Sequence, residues 1–338
     1  MPKRFADILK EKIVVLDGAT GTHLQDQNLS ADDFGGEQFQ GCNEYLVLTK
    51  PSAVENVHKD YLEAGCDVIE TNSFGSTPIV LAEYGLEAKA HELNHEAARI
   101  ARRLAGDFSG SGHQRFVAGS MGPTTKLPSL GHIDFGAMSG SYYVQAKGLV
   151  EGGVDLLSVE TCQDILQVKA ALHGIFRYFE DARVRVPVIV SVTVETTGTM
   201  LLGTDMAAAL TSIEPYDVDV IGMNCATGPR EMSEHIRVLS GSSPKPVFVM
   251  PNAGIPENID GKAHYHLSPE ELVRYLSHFV KDLGVQVVGG CCGTTREHIR
   301  QLVDAVGNLA PAPRQIDFTP GLDLRAGTIK RLQNRPRS

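Results

Sequence analysis

The sequence lacks the features of membrane, secreted and nucleic-acid-binding proteins. Nowhere do roughly 18 apolar residues follow one another, and the first residues contain no hydrophobic signal region. The 41 acidic residues outnumber the 31 basic ones, giving a net charge of −10 with no basic stripe, which argues against nucleic-acid or anionic-membrane partners. Six cysteines are too few for a disulfide scaffold in 338 residues and suit a reducing compartment. We therefore expect a cytoplasmic protein.

Short apolar runs are regularly spaced along the chain. They are rich in Val and Ile without clean alternation, as in parallel strands buried on both faces, and helical patterns separate them. This alternation predicts an α/β protein with a (β/α)₈ TIM barrel as its single domain, an open doubly wound sheet being the alternative. The eight predicted strands are residues 13–16, 67–70, 116–118, 154–159, 186–194, 218–223, 247–250 and 285–288.

Helix boundaries between the strands carry recognisable signals. A helix begins at Pro51 and ends before Gly65, and a capping box at Ser268 opens another that ends at Gly284. The barrel is predicted over residues 1–310. Residues 311–338 are rich in proline with a basic bias, which predicts a C-terminal strap or linker outside the barrel.

Polar residues follow the predicted strands at their carboxyl ends. In a barrel these ends share the face that carries the active site. Two long connections, residues 18–50 and 122–138, lie on that face and either cover the site or are plain surface loops. The polar residues are Asp17, Glu70, Thr71, Asn72, Ser120, Glu160, Glu195, Cys225, Asn252, Cys291 and Cys292.

Three of the cysteines predict a metal site. Cys291 and Cys292 are adjacent, and a disulfide between neighbours is strained, so two thiolates on one metal ion explain the pair better. Cys225 also closes an apolar strand and supplies a third ligand. Three sulfurs leave one position of a tetrahedral zinc ion open, as in catalytic sites. The alternative is that they are small buried hydrophobes, as we read Cys66 and Cys162, and Cys42 is ambiguous.

Other groups on this face suit an amino acid. The glycines of residues 17–22 allow successive backbone N–H groups to point at an anion such as a carboxylate, although the segment could be a bare turn. Glu160, Glu70 and Asn252 offer a carboxylate and an amide for an ammonium group, or simply cap the barrel rim.

Several motifs together resemble the zinc-dependent homocysteine S-methyltransferases over roughly residues 10–308. A further run, residues 31–45, is similar to the N-terminal homocysteine domain of cobalamin-dependent methionine synthase more than to the betaine-dependent branch. The motifs are Asp17-Gly18-Ala19-Thr20-Gly21-Thr22, Glu70-Thr71-Asn72-Ser73-Phe74-Gly75, Gly222-Met223-Asn224-Cys225, Pro251-Asn252-Ala253-Gly254 and Gly289-Gly290-Cys291-Cys292-Gly293.

The resemblance implies a set of site residues. Cys225, Cys291 and Cys292 would bind zinc, and the catalytic machinery would be this zinc site alone. Homocysteine would be held by Asp17, Gly21, Thr22, Glu160, Asn224 and Asn252.

The resemblance also implies a reaction, the methylation of homocysteine to methionine. The methyl group would come from methylcobalamin, with cobalamin-carrying and folate-binding domains or proteins as partners. No Asp-x-His-x-x-Gly cobalamin motif occurs, so the chain is either an excised module or a stand-alone enzyme. The alternatives are a betaine or sulfonium donor such as S-methylmethionine, or a structural zinc in a barrel that binds a partner.

Overall fold

The structure is a computed structural model and describes residues 3–110, 113–259 and 262–316. Short 3₁₀ turns occupy Glu37–Phe39, Asn43–Tyr45, Ala82–Tyr84, Glu87–Lys89 and Pro128–Leu130. The strands are β1 Val14–Val15, β2 Val68–Glu70, β3 Phe116–Met121, β4 Leu156–Cys162, β5 Val188–Val192, β6 Val220–Asn224, β7 Val247–Met250, β8 Glu257–Ile259, β9 Lys262–His264 and β10 Val287–Val288. The helices are α1 Phe5–Glu11, α2 Thr20–Asp26, α3 Leu46–Thr49, α4 Pro51–Ala64, α5 Pro78–Leu81, α6 Ala90–Asp107, α7 Phe135–Glu151, α8 Ile165–Ala182, α9 Met206–Ile213, α10 Pro229–Ser242, α11 Pro269–Leu283 and α12 Arg296–Val306.

Eight parallel strands form a closed barrel. The hydrogen-bonded order is β1-β10-β7-β6-β5-β4-β3-β2. When the β8–β9 hairpin is left aside, strands that follow one another in the sequence are neighbours in the sheet. Leu16 forms a parallel bridge to Val68, and the N–H of Asp67 donates to the carbonyl of Val15 at 2.7 Å, which joins β1 to β2. The predicted (β/α)₈ barrel is confirmed, and the open-sheet alternative is wrong.

Side chains fill the barrel interior from every strand of the closed sheet. The amino-terminal end of this interior is covered by α1, whose Phe5, Ile8 and Leu9 belong to the same core. Phe5 meets Phe116, the first residue of β3, edge-on at 6.0 Å between ring centroids. The barrel is therefore a packed core with one end closed by a helix, and only the carboxyl ends of the strands remain for a site.

The helix boundaries follow the expected capping chemistry. Pro51 opens α4, and Gly65 ends it with a φ of 100°, a left-handed conformation that suits glycine. Ser268 and Glu271 form the predicted capping box of α11, which ends at Gly284 with a φ of 68°. Replacing a residue such as Ser268 by Ala costs about 1 kcal/mol.

The loops at the carboxyl ends of the strands hold more structure than the sequence indicated. Residues 18–50 contain α2, two 3₁₀ turns and α3, and residues 122–138 contain one 3₁₀ turn and the beginning of α7. The β8–β9 hairpin, which we did not predict, extends the connection between β7 and α11 on the same face.

The described part of the predicted strap lies against the barrel. The guanidinium of Arg314 donates to the carbonyls of Ser240 and Lys245, at 3.3 and 2.7 Å. Residues 317–338 lie outside the described residues, so the division at residue 310 stays a prediction. Among the described residues, no helix combines the length and apolarity needed to cross a membrane.

Candidate metal centre and substrate pocket

The three predicted cysteine ligands converge at the carboxyl end of the barrel. Cys225 follows β6 directly, and Cys291 and Cys292 follow β10. Their sulfur atoms all lie within 4.8 Å of one another, with 3.9 Å between Cys225 and Cys292. The other cysteines, Cys42, Cys66 and Cys162, are buried in the core away from this cluster.

The spacing of the sulfurs fits a tetrahedral zinc ion. Zinc–sulfur bonds of about 2.3 Å at tetrahedral angles place two ligand sulfurs about 3.8 Å apart. In addition, the thiols of Cys225 and Cys291 donate towards the sulfur of Cys292, and these hydrogen bonds lower the pKa of Cys292 to about 3. The pKa values of Cys225 and Cys291 are raised, so the three side chains together stabilise one thiolate, at Cys292, and a thiolate is the form that binds a metal.

An unusual backbone conformation aims Cys225 at its partners. Cys225 and Ala226 have φ values of 62° and 60°, in the left-handed region that non-glycine residues adopt at a cost of about 1 kcal/mol or more. The N–H of Cys225 donates to Met250 on β7 at 3.0 Å, and the N–H of Cys291 donates to Pro251 at 2.8 Å. Neighbouring strands thus hold the strained turn that brings the sulfurs together.

A cavity of about 240 Å³ opens beside the sulfurs. At about 30 Å³ per molecule this is the volume of about eight waters, room for an amino acid but not for a corrinoid. Its lining comes from the ends of β1, β2, β3, β4, β6, β7 and β10 and from the loop after β1. The lining residues are Gly18, Ala19, Thr20, Gly21, Thr22, Asn43, Glu44, Glu70, Thr71, Asn72, Phe74, Ser120, Glu160, Thr161, Cys225, Met250, Gly290, Cys291 and Cys292.

Three buried carboxyl groups belong to this site: Glu70 and Glu160 line the cavity, and Asp17 adjoins Glu70. Glu160 accepts a hydrogen bond from the hydroxyl of Ser120 at 2.6 Å, and burial raises its pKa to about 7. Asp17 accepts from the N–H of Glu70 at 2.9 Å, while Oδ1 of Asp17 and Oε1 of Glu70 have no partner. Burial, together with the negative charge of Glu160, raises the pKa of both Asp17 and Glu70. A bound cation would lower these raised pKa values and occupy the unpartnered oxygens, so this part of the site is complementary to an ammonium group.

The six predicted substrate residues occupy different positions around the cavity. Gly21, Thr22 and Glu160 line it, whereas Asp17 lies behind Glu70. Asn252 is 3% exposed and its Oδ1 has no partner, but it is not part of the lining. Glu70, which the sequence analysis offered as a carboxylate for an ammonium group, also lines the cavity.

Asn224 does not line the cavity, and its side chain makes hydrogen bonds to other residues of the protein. Its Oδ1 accepts from the N–H of Thr161 at 2.8 Å and from the hydroxyl of Ser191 at 2.7 Å, and its Nδ2 donates to Oγ1 of Thr161 at 2.8 Å. Thr161 lines the cavity with a φ of 58°. Asn224 therefore holds a strained backbone segment beside Glu160.

Tyr265 is a neighbour of the cysteines that the sequence did not indicate. It follows the β8–β9 hairpin and contacts the turn after Cys292, where a Cβ at Gly293 would lie 2.1 Å from the tyrosine ring. Gly293 also has a φ of 77°, so this position requires glycine for both space and conformation. The sequence did not indicate the β8–β9 hairpin, and this hairpin returns Tyr265 to the barrel face that carries the cysteines.

The fold and the site define a (β/α)₈ barrel with a cluster of three cysteines that could hold a metal ion beside an amino-acid-sized cavity. Residues 14–306 match the family model described as homocysteine S-methyltransferase, and the chain belongs to this family of methyltransferases.

Similar proteins agree with this assignment. The chain is 47% identical over 316 residues to a methionine synthase of Mycobacterium tuberculosis and 47% identical over 321 residues to one of Mycobacterium leprae. In both comparisons 94% of this chain matches 26% of the relative, so the chain spans about a quarter of their length. The metallated form of the homocysteine methyltransferase MmuM from Escherichia coli shares the fold, with a TM-score of 0.71 and 24% identity over 88% of this chain and 98% of that one.

Proposed function

We propose that the chain is the homocysteine-activating part of a methionine synthase that uses methylcobalamin. The observation that carries this proposal is one cavity lined both by the three-cysteine cluster and by the buried carboxyl groups of Glu70 and Glu160, with Oε1 of Glu70 unpartnered. Homocysteine has the matching groups, a thiol at one end and an ammonium and a carboxylate at the other.

The amino-acid end would be recognised by charge and by backbone donors. Glu160 and Glu70 face the cavity and would bind the ammonium group, while Asp17 keeps the Glu70 backbone in place. The backbone around Gly21 and Thr22 would receive the carboxylate. Asn224 would contribute through Thr161, and the free Oδ1 of Asn252 is available as a further acceptor close to Cys225 and Cys291.

Cys225, Cys291 and Cys292 would hold a zinc ion, whose sulfur spacing they fit. A free thiol has a pKa of about 8.5, and bound zinc would keep the homocysteine sulfur as a nucleophilic thiolate at neutral pH. The chain itself supplies position: the carboxyl groups fix one end of the amino acid so that its sulfur lies at the cysteines, and no general base is needed at carbon.

The methyl donor must approach from outside because the cavity is too small for a corrinoid. The homocysteine sulfur would attack the methyl carbon in line; the sulfur–carbon bond forms, the cobalt–carbon bond breaks, and its electron pair stays on cobalt as cob(I)alamin. On the face of the barrel that carries the cavity, the segments after β2, β3, β5 and β7 carry exposed apolar side chains. These are Phe74, Leu130, Leu201, Leu202, Ile255 and Ile259.

We propose this apolar rim as the docking face of a cobalamin-carrying domain. It lies on the face from which the donor must reach the sulfur, and the methionine synthases of similar sequence are about four times as long as the aligned segment. Folate-binding domains or proteins would remethylate the carrier. Leu130 of this rim belongs to the long connection of residues 122–138. A cytoplasmic location is consistent with these partners.

A donor assay tests the proposal. The purified zinc-loaded chain is mixed with homocysteine and free methylcobalamin, and methylcobalamin loss is followed by absorbance with methionine as the product. We expect slow turnover, because the free donor is not held at the mouth, and none with methyltetrahydrofolate unless a cobalamin protein is added. Efficient transfer from betaine or S-methylmethionine with none from methylcobalamin would place the chain in the other branch.

X-ray absorption distinguishes a catalytic from a structural zinc. A fourth sulfur ligand should appear when homocysteine is added to the zinc-loaded chain. An unchanged, already saturated coordination sphere would contradict the proposal and favour a structural metal.

A further inference from the structure

Ala19 is held at both of its peptide groups by side chains from distant parts of the chain. Its N–H donates to Oγ1 of Thr294 at 3.2 Å, and its carbonyl accepts from the hydroxyl of Tyr61 at 3.0 Å. Ala19 immediately precedes Thr20, Gly21 and Thr22, the segment of the cavity lining proposed to bind the substrate carboxylate. Tyr61 and Thr294 therefore fix the position of this segment, although neither lines the cavity.

Thr294 also holds the segment that carries the metal ligands. Its hydroxyl donates to the carbonyl of Cys291 at 2.7 Å, and its own N–H donates to the same carbonyl at 3.1 Å. The Tyr61 hydroxyl lies 3.3 Å from the Thr294 carbonyl, and the N–H of Gly290 donates to the Asp17 carbonyl at 3.1 Å. Tyr61 and Thr294 thus join the cavity segment that follows Ala19 to the segment that carries Cys291.

The junction is packed without slack. A Cβ at Gly18 would lie 2.8 Å from the Tyr61 ring and 2.9 Å from Oγ1 of Thr294, and a Cβ at Gly290 would lie 2.5 Å from the same oxygen. Tyr61 is 0% and Thr294 is 2% exposed. Glycine at both positions lets the two segments approach, and two buried hydroxyl groups then lock the distance between them.

We propose that Tyr61 and Thr294 are positioning residues that set the distance from the substrate carboxylate to the three sulfurs, and thereby select homocysteine over cysteine. The proposal rests on the function proposed above. The two thiols differ by one methylene, about 1.5 Å of chain. While the carboxylate-binding segment is held at a fixed distance from the three sulfurs, cysteine is too short to contact both. When a hydroxyl is removed, this segment can shift towards the sulfurs and bind the shorter amino acid.

The test compares thiol selectivity in single variants of the zinc-loaded chain. Tyr61→Phe and Thr294→Val each remove one hydroxyl with little change in shape, Thr294→Ser restores the hydroxyl, and Tyr142→Phe is the matched control. Tyr142 is equally buried; its hydroxyl donates to the Gly122 carbonyl at 2.8 Å and accepts from Nε2 of Gln167 at 3.0 Å, away from the junction, and the variant loses both bonds. Dissociation constants for homocysteine and cysteine come from calorimetry, and zinc affinity from competition with a chelator.

We expect the ratio of the cysteine to the homocysteine dissociation constant to fall about tenfold in Tyr61→Phe and Thr294→Val, because the loss of one buried hydrogen bond corresponds to about this factor. Tyr142→Phe and Thr294→Ser should keep the wild-type preference, and zinc affinity should change less than about threefold throughout. A general loss of stability would weaken both thiols equally and would leave the ratio unmoved, which overturns the proposal.

Failure of the proposed function gives a different result. If the wild-type chain binds zinc but neither thiol, the proposed function is wrong and this inference falls with it. If the wild type prefers homocysteine and the ratio stays constant in both test variants, only the positioning role is wrong. Should Tyr61→Phe fail to fold, the Thr294→Val and Thr294→Ser pair decides.

Discussion

Replacing Glu160 by Gln tests the amino-acid end of the site most directly. The substitution preserves side-chain size and leaves Oε1 to accept from the Ser120 hydroxyl, which lies 2.6 Å away, so the change is mainly the loss of negative charge. A hydrogen bond to a charged partner contributes about 1.5–3 kcal/mol, so homocysteine should bind between about tenfold and about a hundredfold more weakly. Zinc content should stay the same because Glu160 is no metal ligand.

Glu195→Gln is the matched control for this experiment. Glu195 follows β5 on the same face, but it accepts from Nε2 of Gln163 at 2.9 Å and does not line the cavity. Titration calorimetry with homocysteine should therefore show wild-type affinity for this variant. Equal affinities of wild type, Glu160→Gln and Glu195→Gln would refute the assignment of Glu160 to the substrate ammonium group.

Three further predictions concern the metal, pH and the docking face. Cys225→Ser should abolish zinc retention and activity together while circular dichroism stays near native, because the barrel has its own core; unfolding on chelation would point to a structural metal. In the zinc-free chain, stability to urea should fall as pH rises from about 4.5 through about 7, because Asp17, Glu70 and Glu160 have raised pKa values and bind their protons more tightly in the folded than in the unfolded state; Glu160, with its pKa raised to about 7, contributes about 3 kcal/mol of this loss. Glu160→Gln should reduce the slope by its own contribution and leave that of Asp17 and Glu70, and an unchanged slope would contradict the assignment. Trimming residues 124–132 should reduce turnover with a cobalamin carrier more than homocysteine affinity, and equal losses in both assays would argue against docking there.

The strands were predictable because a buried parallel strand leaves a clear apolar run. All eight predicted runs overlap a barrel strand, but the boundaries differ where tertiary contacts decide them. The run 154–159 extends in the structure to Cys162 through an irregular register between Val159 and Cys162. The bond that holds this irregularity comes from Asn224, two strands away, so no local pattern could indicate it.

The metal ligands were predictable for a different reason, since the ends of parallel strands must converge on one face. No comparable rule predicts the residues that hold the site in place. Tyr61 reads as an ordinary apolar position of α4, and its contact with Ala19 spans 42 positions. Helix α1 is short and hydrophobic enough to pass for the beginning of β1, and only the closed barrel shows what it covers.

The helix that covers the amino-terminal end of the barrel also bears on the order of binding under the proposed function. With Phe5, Ile8 and Leu9 packed into the core at that end, the described residues leave the cavity mouth on the opposite face as the route for substrate and product. If the donor docks at that mouth as proposed, homocysteine would have to enter first, and methionine would leave only after the spent donor had gone. The kinetics of the assembled enzyme should accordingly be sequential, with homocysteine first on and methionine last off.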